Sequence, residues 1–194
     1  MKKNSSLKEI LVPAVMLFII ALICTALLAG TNMLTKDKID EIAIQTENEA
    51  KSAVLSEATE FSDAKTVSVN GVEYTFFEGC ADGTVKGYVI PVTTKSYGGA
   101  LSLMVGISAD EAKITGVGIT EINDTPGLGM KAKNNDFLTQ FSEKTAGLTV
   151  VKNGASGNEI QAITSATITS KAVTGAVNTA FEVYSEIKAG GSNG

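Results

Sequence analysis

From Ile10 to Ala29 the chain reads ILVPAVMLFIIALICTALLA, with no charged position. A helix rising ~1.5 Å per residue crosses a hydrocarbon core of ~30 Å with about 20 such residues. Pro13 falls in the first turn of this run, where a missing N–H costs little. A cleaved signal peptide has a shorter apolar core, about 7–15 residues, before a small-x-small site. The pattern therefore predicts a retained transmembrane helix over residues 10–30, behind a leader of residues 1–9. Ile23, before Cys24, is not the small residue that lipidation of that cysteine requires. Lys2, Lys3 and Lys8 precede the span, and Lys36 and Lys38 follow it. The positive-inside rule then places the leader in the cytoplasm and the remainder outside the cell membrane.

Past the span the period changes. Ile39, Ile42, Ala43, Ala50, Ala53 and Val54 recur three, four and seven apart, one face of a helical stalk over residues 31–62. That face serves either to pack on the following domain or to dock on another membrane subunit. Strand patterns begin at Lys65: Thr66 to Val69 and Val72 to Phe77 flank Asn70-Gly71, a type I′ hairpin signal. Further strands are expected at Val85 to Val92, Ala100 to Ser108 and Lys113 to Ile122, with a turn at Asp110-Glu111. Asn135 to Phe141 reads as a short helix, and Leu148 to Val151 and Glu159 to Ile163 as short strands. Ala172, Val173, Ala176, Val177, Ala180, Phe181, Tyr184 and Ile187 form the apolar stripe of a last helix, Lys171 to Lys188. Thr169 or Ser170 is placed to cap it. Residues 190–194 read as a disordered tail. The fold class is α+β: an antiparallel sheet with flanking helices over residues 63–189, with no internal repeat and no βαβ fingerprint.

Composition narrows the chemistry. The net charge is −5, and all 16 basic residues are Lys. An acidic chain without Arg or a dense Lys patch does not read as a nucleic-acid binder. With no His, His-dependent triads, His-ligated zinc and c-type haem are excluded. Cys24 and Cys80 are the two cysteines, too few for an iron–sulfur cluster, and one sits in the apolar run, so no disulfide is expected. Redox chemistry on this chain requires an organic cofactor.

Two segments have the composition of a cofactor site. Asn123-Asp124-Thr125-Pro126-Gly127-Leu128-Gly129-Met130-Lys131 combines a Pro-Gly turn, a Gly that admits close approach and an exposed Leu. Ile163-Thr164-Ser165-Ala166-Thr167-Ile168-Thr169-Ser170-Lys171, a run of small residues and hydroxyls, lies just before the last helix, where free N–H groups and the helix dipole favour a phosphate. On spacing alone, the plain readings are a strand-to-helix connection and a helix cap with spare hydroxyls.

Thr164-Ser165-Ala166-Thr167 resembles the flavinylation motif of the FMN-binding domain family. That motif runs Asp, two variable residues, Ser or Thr, Gly, Ala, Thr, and a dedicated flavin transferase esterifies its last Thr to the FMN phosphate. The Thr125-Pro126-Gly127-Leu128-Gly129 run resembles the family's second signature, which lies against the flavin, and Tyr97-Gly98-Gly99 resembles a recurring Gly-rich turn. The order of leader, span, stalk and motifs is similar to that of the G subunits of Rnf electron-transport complexes. It also resembles their relatives, the C subunits of sodium-pumping NADH:quinone reductases. Gln161 stands where the motif has Asp, and Ser165 where it has Gly.

The resemblance implies covalent FMN on Thr167, with Thr164, Ser165 and Ala166 around it. It implies Thr125 and Leu128 beside the ring, Gly127 and Gly129 allowing its approach, and Lys131 stabilising the reduced, anionic flavin. The function implied is that of an electron-relay subunit in a membrane complex passing electrons between ferredoxin and NAD, coupled to Na⁺ or H⁺ translocation. Other subunits would carry the iron–sulfur clusters and a second flavin, and the flavin transferase would act in maturation. Two alternatives remain open from the residues themselves: a stand-alone membrane-anchored flavoprotein reducing an extracellular acceptor, and a non-redox tethered interaction domain.

Overall fold

The computed structural model describes residues 3–190 and 192–193. The chain divides into two compact units, Met1–Thr46 and Glu47–Gly194. Helix α1 runs over Lys3–Val54. Within it Leu11–Lys36 is long and apolar enough to cross a membrane, with a mean hydropathy of 2.8. Its described side chains in the first unit, including Phe18, Leu22 and Leu27, are exposed, as contact with lipid tails requires. Of the leader, Met1 and Lys2 lie outside the described residues, and so do the side chains of Ile39, Ile42 and Ala43 on the expected stalk face.

In the second unit the expected strands pair as one antiparallel sheet. It comprises β1 (Glu60–Phe61), β2 (Lys65–Val69), β3 (Val72–Ala81), β4 (Thr84–Ser96), β5 (Gly99–Ser108) and β6 (Ile114–Ile122). The spatial order is β6-β5-β4-β3-β2, with β1 also on β3. The β2–β3 hairpin turns on Asn70 and Gly71, both at positive φ (52° and 81°), as a type I′ turn needs. After β6 come α2 (Asn135–Leu138), continued by a 3₁₀ turn to Phe141, and the parallel pair β7 (Thr149–Val151) and β8 (Glu159–Gln161). Helix α3 is Thr167–Lys188, and β9 (Ser192–Asn193) pairs with Thr66 and Val67 of β2.

Side chains alternate across the strands, so the sheet has two buried faces. Val67, Phe76, Tyr88, Ile90, Leu103, Val105 and Ile107 meet the α3 stripe at Val173, Val177, Ala180, Phe181 and Tyr184. Phe77, Val89 and Met104 face the other way, onto Val54, Leu55 and Ala58 at the end of α1. There the sheet presents glycines: a Cβ on Gly106 would collide with the Val54 carbonyl oxygen, and one on Gly79 or Gly87 with the Leu55 side chain. The Val54 carbonyl accepts a 2.6 Å hydrogen bond from Thr115 Oγ1. Lys51 is buried beside it, its Nζ 3.4 Å from the Phe77 ring centroid and 2.8 Å from Glu47.

Three expectations differ from the structure. The stalk helix ends at Val54, not near residue 62, because Leu55 is fully buried and residues 60–61 are already paired on β3. The last helix starts four residues early, at Thr167. The tail expected to be disordered instead contributes β9 at Ser192–Asn193. Cys24 and Cys80 are both free.

Candidate functional site

The far ends of β4 and β6 position the site. Pro91 sits in the middle of β4, yet breaks no ladder: β3 pairs with β4 only as far as Val89, so beyond it β4 needs no N–H on that side. β4 therefore runs on to Ser96 against β5 alone and turns at Tyr97-Gly98. β6 ends at Ile122, and the chain enters Asn123-Asp124-Thr125-Pro126-Gly127, with Gly127 at φ 78°. A 3₁₀ turn over Gly129–Lys133 follows.

The Tyr97 turn, this loop and the first turn of α3 enclose a cavity of about 500 Å³. It is lined by Tyr97, Asp124, Thr125, Leu128 and Gly129 on one side and by Ser165 through Thr169 on the other. The two sequence segments, about forty residues apart, thus form opposite walls of one site. Among the described residues of the second unit, the exposed large hydrophobic side chains are Val72, Tyr97, Leu128, Met130 and Ile168, and three of these line this cavity. Apolar surface held open beside polar groups marks a ligand site.

Thr167 is the first residue of α3. Its predecessor Ala166 (φ −134°, ψ 44°) offers no side-chain cap, and the first turn carries no acidic residue. The opening N–H groups of a 22-residue helix therefore face the cavity without an intrahelical acceptor. The neighbouring hydroxyls are engaged. Ser170 Oγ donates to Ala166 O and accepts from Ile163 N. Thr174 donates to Ser170 O, and Thr169 to Asp124. So neither Thr169 nor Ser170 caps the helix. Among the described residues the half-buried Thr167 hydroxyl has no protein partner; nor do those of Ser165 and Thr164, which are exposed. Ser165 takes a positive φ of 64°, the conformation that a Gly at this motif position adopts freely.

Not every expected residue lies on this cavity. Thr164 faces two adjoining clefts, one with Lys152 and Asn153 and one with Lys131, Asp136 and Gln161. Lys131 is thus in the neighbouring cleft. Gly127 forms the exposed turn. A Cβ on Gly129 would strike the Asp124 carboxylate, so the close approach it permits is to Asp124.

Ser96 escaped the sequence reading, and Asp124 entered it only as a member of the loop segment, with no role of its own. Asp124 is 4 % exposed and the one charged side chain lining the cavity among the described residues. It accepts from Ser96 Oγ, Gly98 N (2.6 Å) and Thr169 Oγ1, tying together all three segments. Burial pushes its carboxyl pKa up, but these hydrogen bonds together outweigh burial and hold it below the ordinary Asp value. A loop Asp reads locally as a turn residue, and only the tertiary contacts reveal the brace.

The residues present fit FMN. The cavity has ligand size, its rim is apolar, a helix N-terminus opens into it, and a free hydroxyl stands at that terminus. The family model for the FMN-binding domain matches residues 96–182, and that for the RnfG N-terminal region matches residues 1–54. The chain is 40% identical over 187 residues to the G subunit of the Na(+)-translocating ferredoxin:NAD(+) oxidoreductase complex of Acetobacterium woodii, covering 88% of this chain and 89% of that protein. It is 36% identical over 157 residues to the G subunit of the proton-translocating complex of Clostridium ljungdahlii, covering 80% and 81%. In fold it is similar to the crystal structure of the C subunit of Na(+)-translocating NADH-quinone reductase from Parabacteroides distasonis (TM-score 0.51, 24% identity, 59% of this chain and 62% of that one). It is likewise similar to Shewanella oneidensis NqrC (TM-score 0.53, 18% identity, 72% and 74%). The chain belongs to the family of G subunits of ion-translocating ferredoxin:NAD(+) oxidoreductase complexes.

Proposed function

We propose that this chain is the electron-relay flavoprotein subunit of a membrane complex that transfers electrons between ferredoxin and NAD⁺ and couples the transfer to Na⁺ or H⁺ translocation, and that its FMN is a phosphoester of Thr167. Support for the relay role comes from the relatives' names, one Na⁺- and one proton-translocating, and from the FMN-binding domain match. The observation that carries the attachment site is the unengaged Thr167 hydroxyl, at the positive end of α3 and in the wall of a cavity shared with the Thr125–Gly129 loop.

Each residue has a part in this reading. The first-turn N–H groups of α3 would hold the phosphate, where the helix dipole favours negative charge. Leu128, Tyr97 and Ile168 would supply the apolar contacts that hold the ring, and Thr125 a polar one. Bound FMN supplies the electron chemistry that this chain's side chains lack. A covalent link removes loss of the group by dissociation, so the site stays loaded while it remains open for electron exchange.

With two cysteines and no His, the chain depends on other subunits for iron–sulfur clusters, and on a flavin transferase for its own maturation. The helix Leu11–Lys36 anchors it, with the sheet domain on the extracytoplasmic side.

The test is co-expression with a flavin transferase followed by denaturing electrophoresis and flavin fluorescence. Thr167→Ala is expected to insert in the membrane but show no fluorescent band, while Thr164→Ala and Ser165→Ala retain one. A fluorescent Thr167→Ala band would remove the assignment.

A further inference from the structure

We propose that Asp124 is the positioning residue of this cavity and also its fixed charge, a carboxylate that makes the bound flavin harder to reduce. This rests on the reading above, that FMN occupies the cavity.

The positioning role follows from connectivity. Asp124 receives one hydrogen bond from the end of β4 (Ser96), one from the following turn (Gly98 N) and one from the first turn of α3 (Thr169). Those segments carry Tyr97 and Thr167, and Asp124 itself leads into Thr125 and Leu128. Gly98 and Gly129 are the residues that let backbone close around it: a Cβ on Gly98 would meet the Asn123 carbonyl, and one on Gly129 the Asp124 side chain. One carboxylate thus sets the spacing between the loop wall and the helix wall.

The charge follows from what else lines the cavity. Among the described residues no Lys does so: Lys131 faces one adjoining cleft, and Lys152 another that shares Ser165 and Thr167 with this cavity. An electron that enters the ring without a proton adds one negative charge to a cavity whose wall already bears one. In a partly desolvated site that repulsion is weakly screened. Its effect is to lower the reduction potential.

Geometry and charge separate cleanly by substitution. In Asp124→Asn the remaining carbonyl oxygen still accepts from Gly98 N and Ser96, and the new NH₂ donates to Thr169 Oγ1, because a hydroxyl accepts as readily as it donates. The brace persists and the charge goes. Ser96→Ala does the converse: the charge stays and loses one of its three donors, so it is less neutralised.

The experiment measures the flavin midpoint potential and the thermal midpoint of the full-length, flavin-loaded chain in detergent. Asp124→Asn is expected to move the potential to a more positive value, and Ser96→Ala to a more negative one. The thermal midpoint should fall less in Asp124→Asn than in Asp124→Ala. Equal potentials in loaded wild type and Asp124→Asn, or shifts of the same sign in both variants, would overturn the inference. Should Asp124→Asn fail to load, the sign of the Ser96→Ala shift decides. A wild type that carries no flavin would instead overturn the reading on which this rests.

Discussion

The two faces of the sheet are covered by opposite devices. On one, large side chains interlock: Phe76, Tyr88 and Ile90 meet Phe181, Val177 and Tyr184, with Tyr88 and Tyr184 edge to face at 5.7 Å between centroids. On the other, the sheet withdraws its side chains at Gly79, Gly87 and Gly106, and the last turn of α1 sits almost on the strand backbone, its Val54 carbonyl held by Thr115. The helix on the side-chain face, α3, opens its N-terminus into the cavity. A face packed by main chain fixes the last turn of α1 in one place.

The largest effect should come from emptying the side-chain face. Phe76→Ala, at a fully buried position, is expected to cost about 3–5 kcal/mol by cavity formation, seen as a lowered denaturation midpoint. The main-chain face should fail in the opposite way, by filling: Gly106→Val is expected to cost about 1–3 kcal/mol and to raise protease sensitivity around residue 54. A Gly106→Val protein as stable as wild type would mean that α1 does not dock there.

Acid should discriminate the two ends. The pKa of Asp124 is lowered on folding, so its contribution is complete above the unfolded value of about 3.9 and is lost as pH falls through the folded value below that. The protection of the Gly98 amide, which donates to Asp124, relative to its intrinsic exchange rate should therefore fall at low pH more than that of amides at the α1 end, and Asp124→Asn should abolish the difference. The smallest effect is at Ser165. Relieving a non-Gly residue at φ 64° with Ser165→Gly should stabilise the chain by at most about 1 kcal/mol, because the gain is partly offset by the freer unfolded chain.

Much of this architecture is readable from local patterns. Asn70-Gly71 announces its hairpin through the positive φ that both residues adopt, and the α3 stripe from Ala172 to Ile187 announces its buried face. What local pattern does not supply is tertiary. It puts the start of α3 four residues late because Thr169 and Ser170 look like caps, whereas one is drawn to Asp124 and the other closes back on Ala166. It carries the stalk past Val54 because nothing in Leu55–Ala58 betrays that Gly79 and Gly87 make room for it. The two walls of the cavity both stand out, through resemblance, but Asp124, which joins them, looks like one more loop acid.

The most direct test of the central assignment is the intact mass of the protein purified from its native membranes, followed by peptide mapping after denaturation. A gain of one FMN phosphoester, retained through denaturation and mapped to Thr167, is the predicted result. An unmodified mass, or a flavin on a different residue, would contradict it.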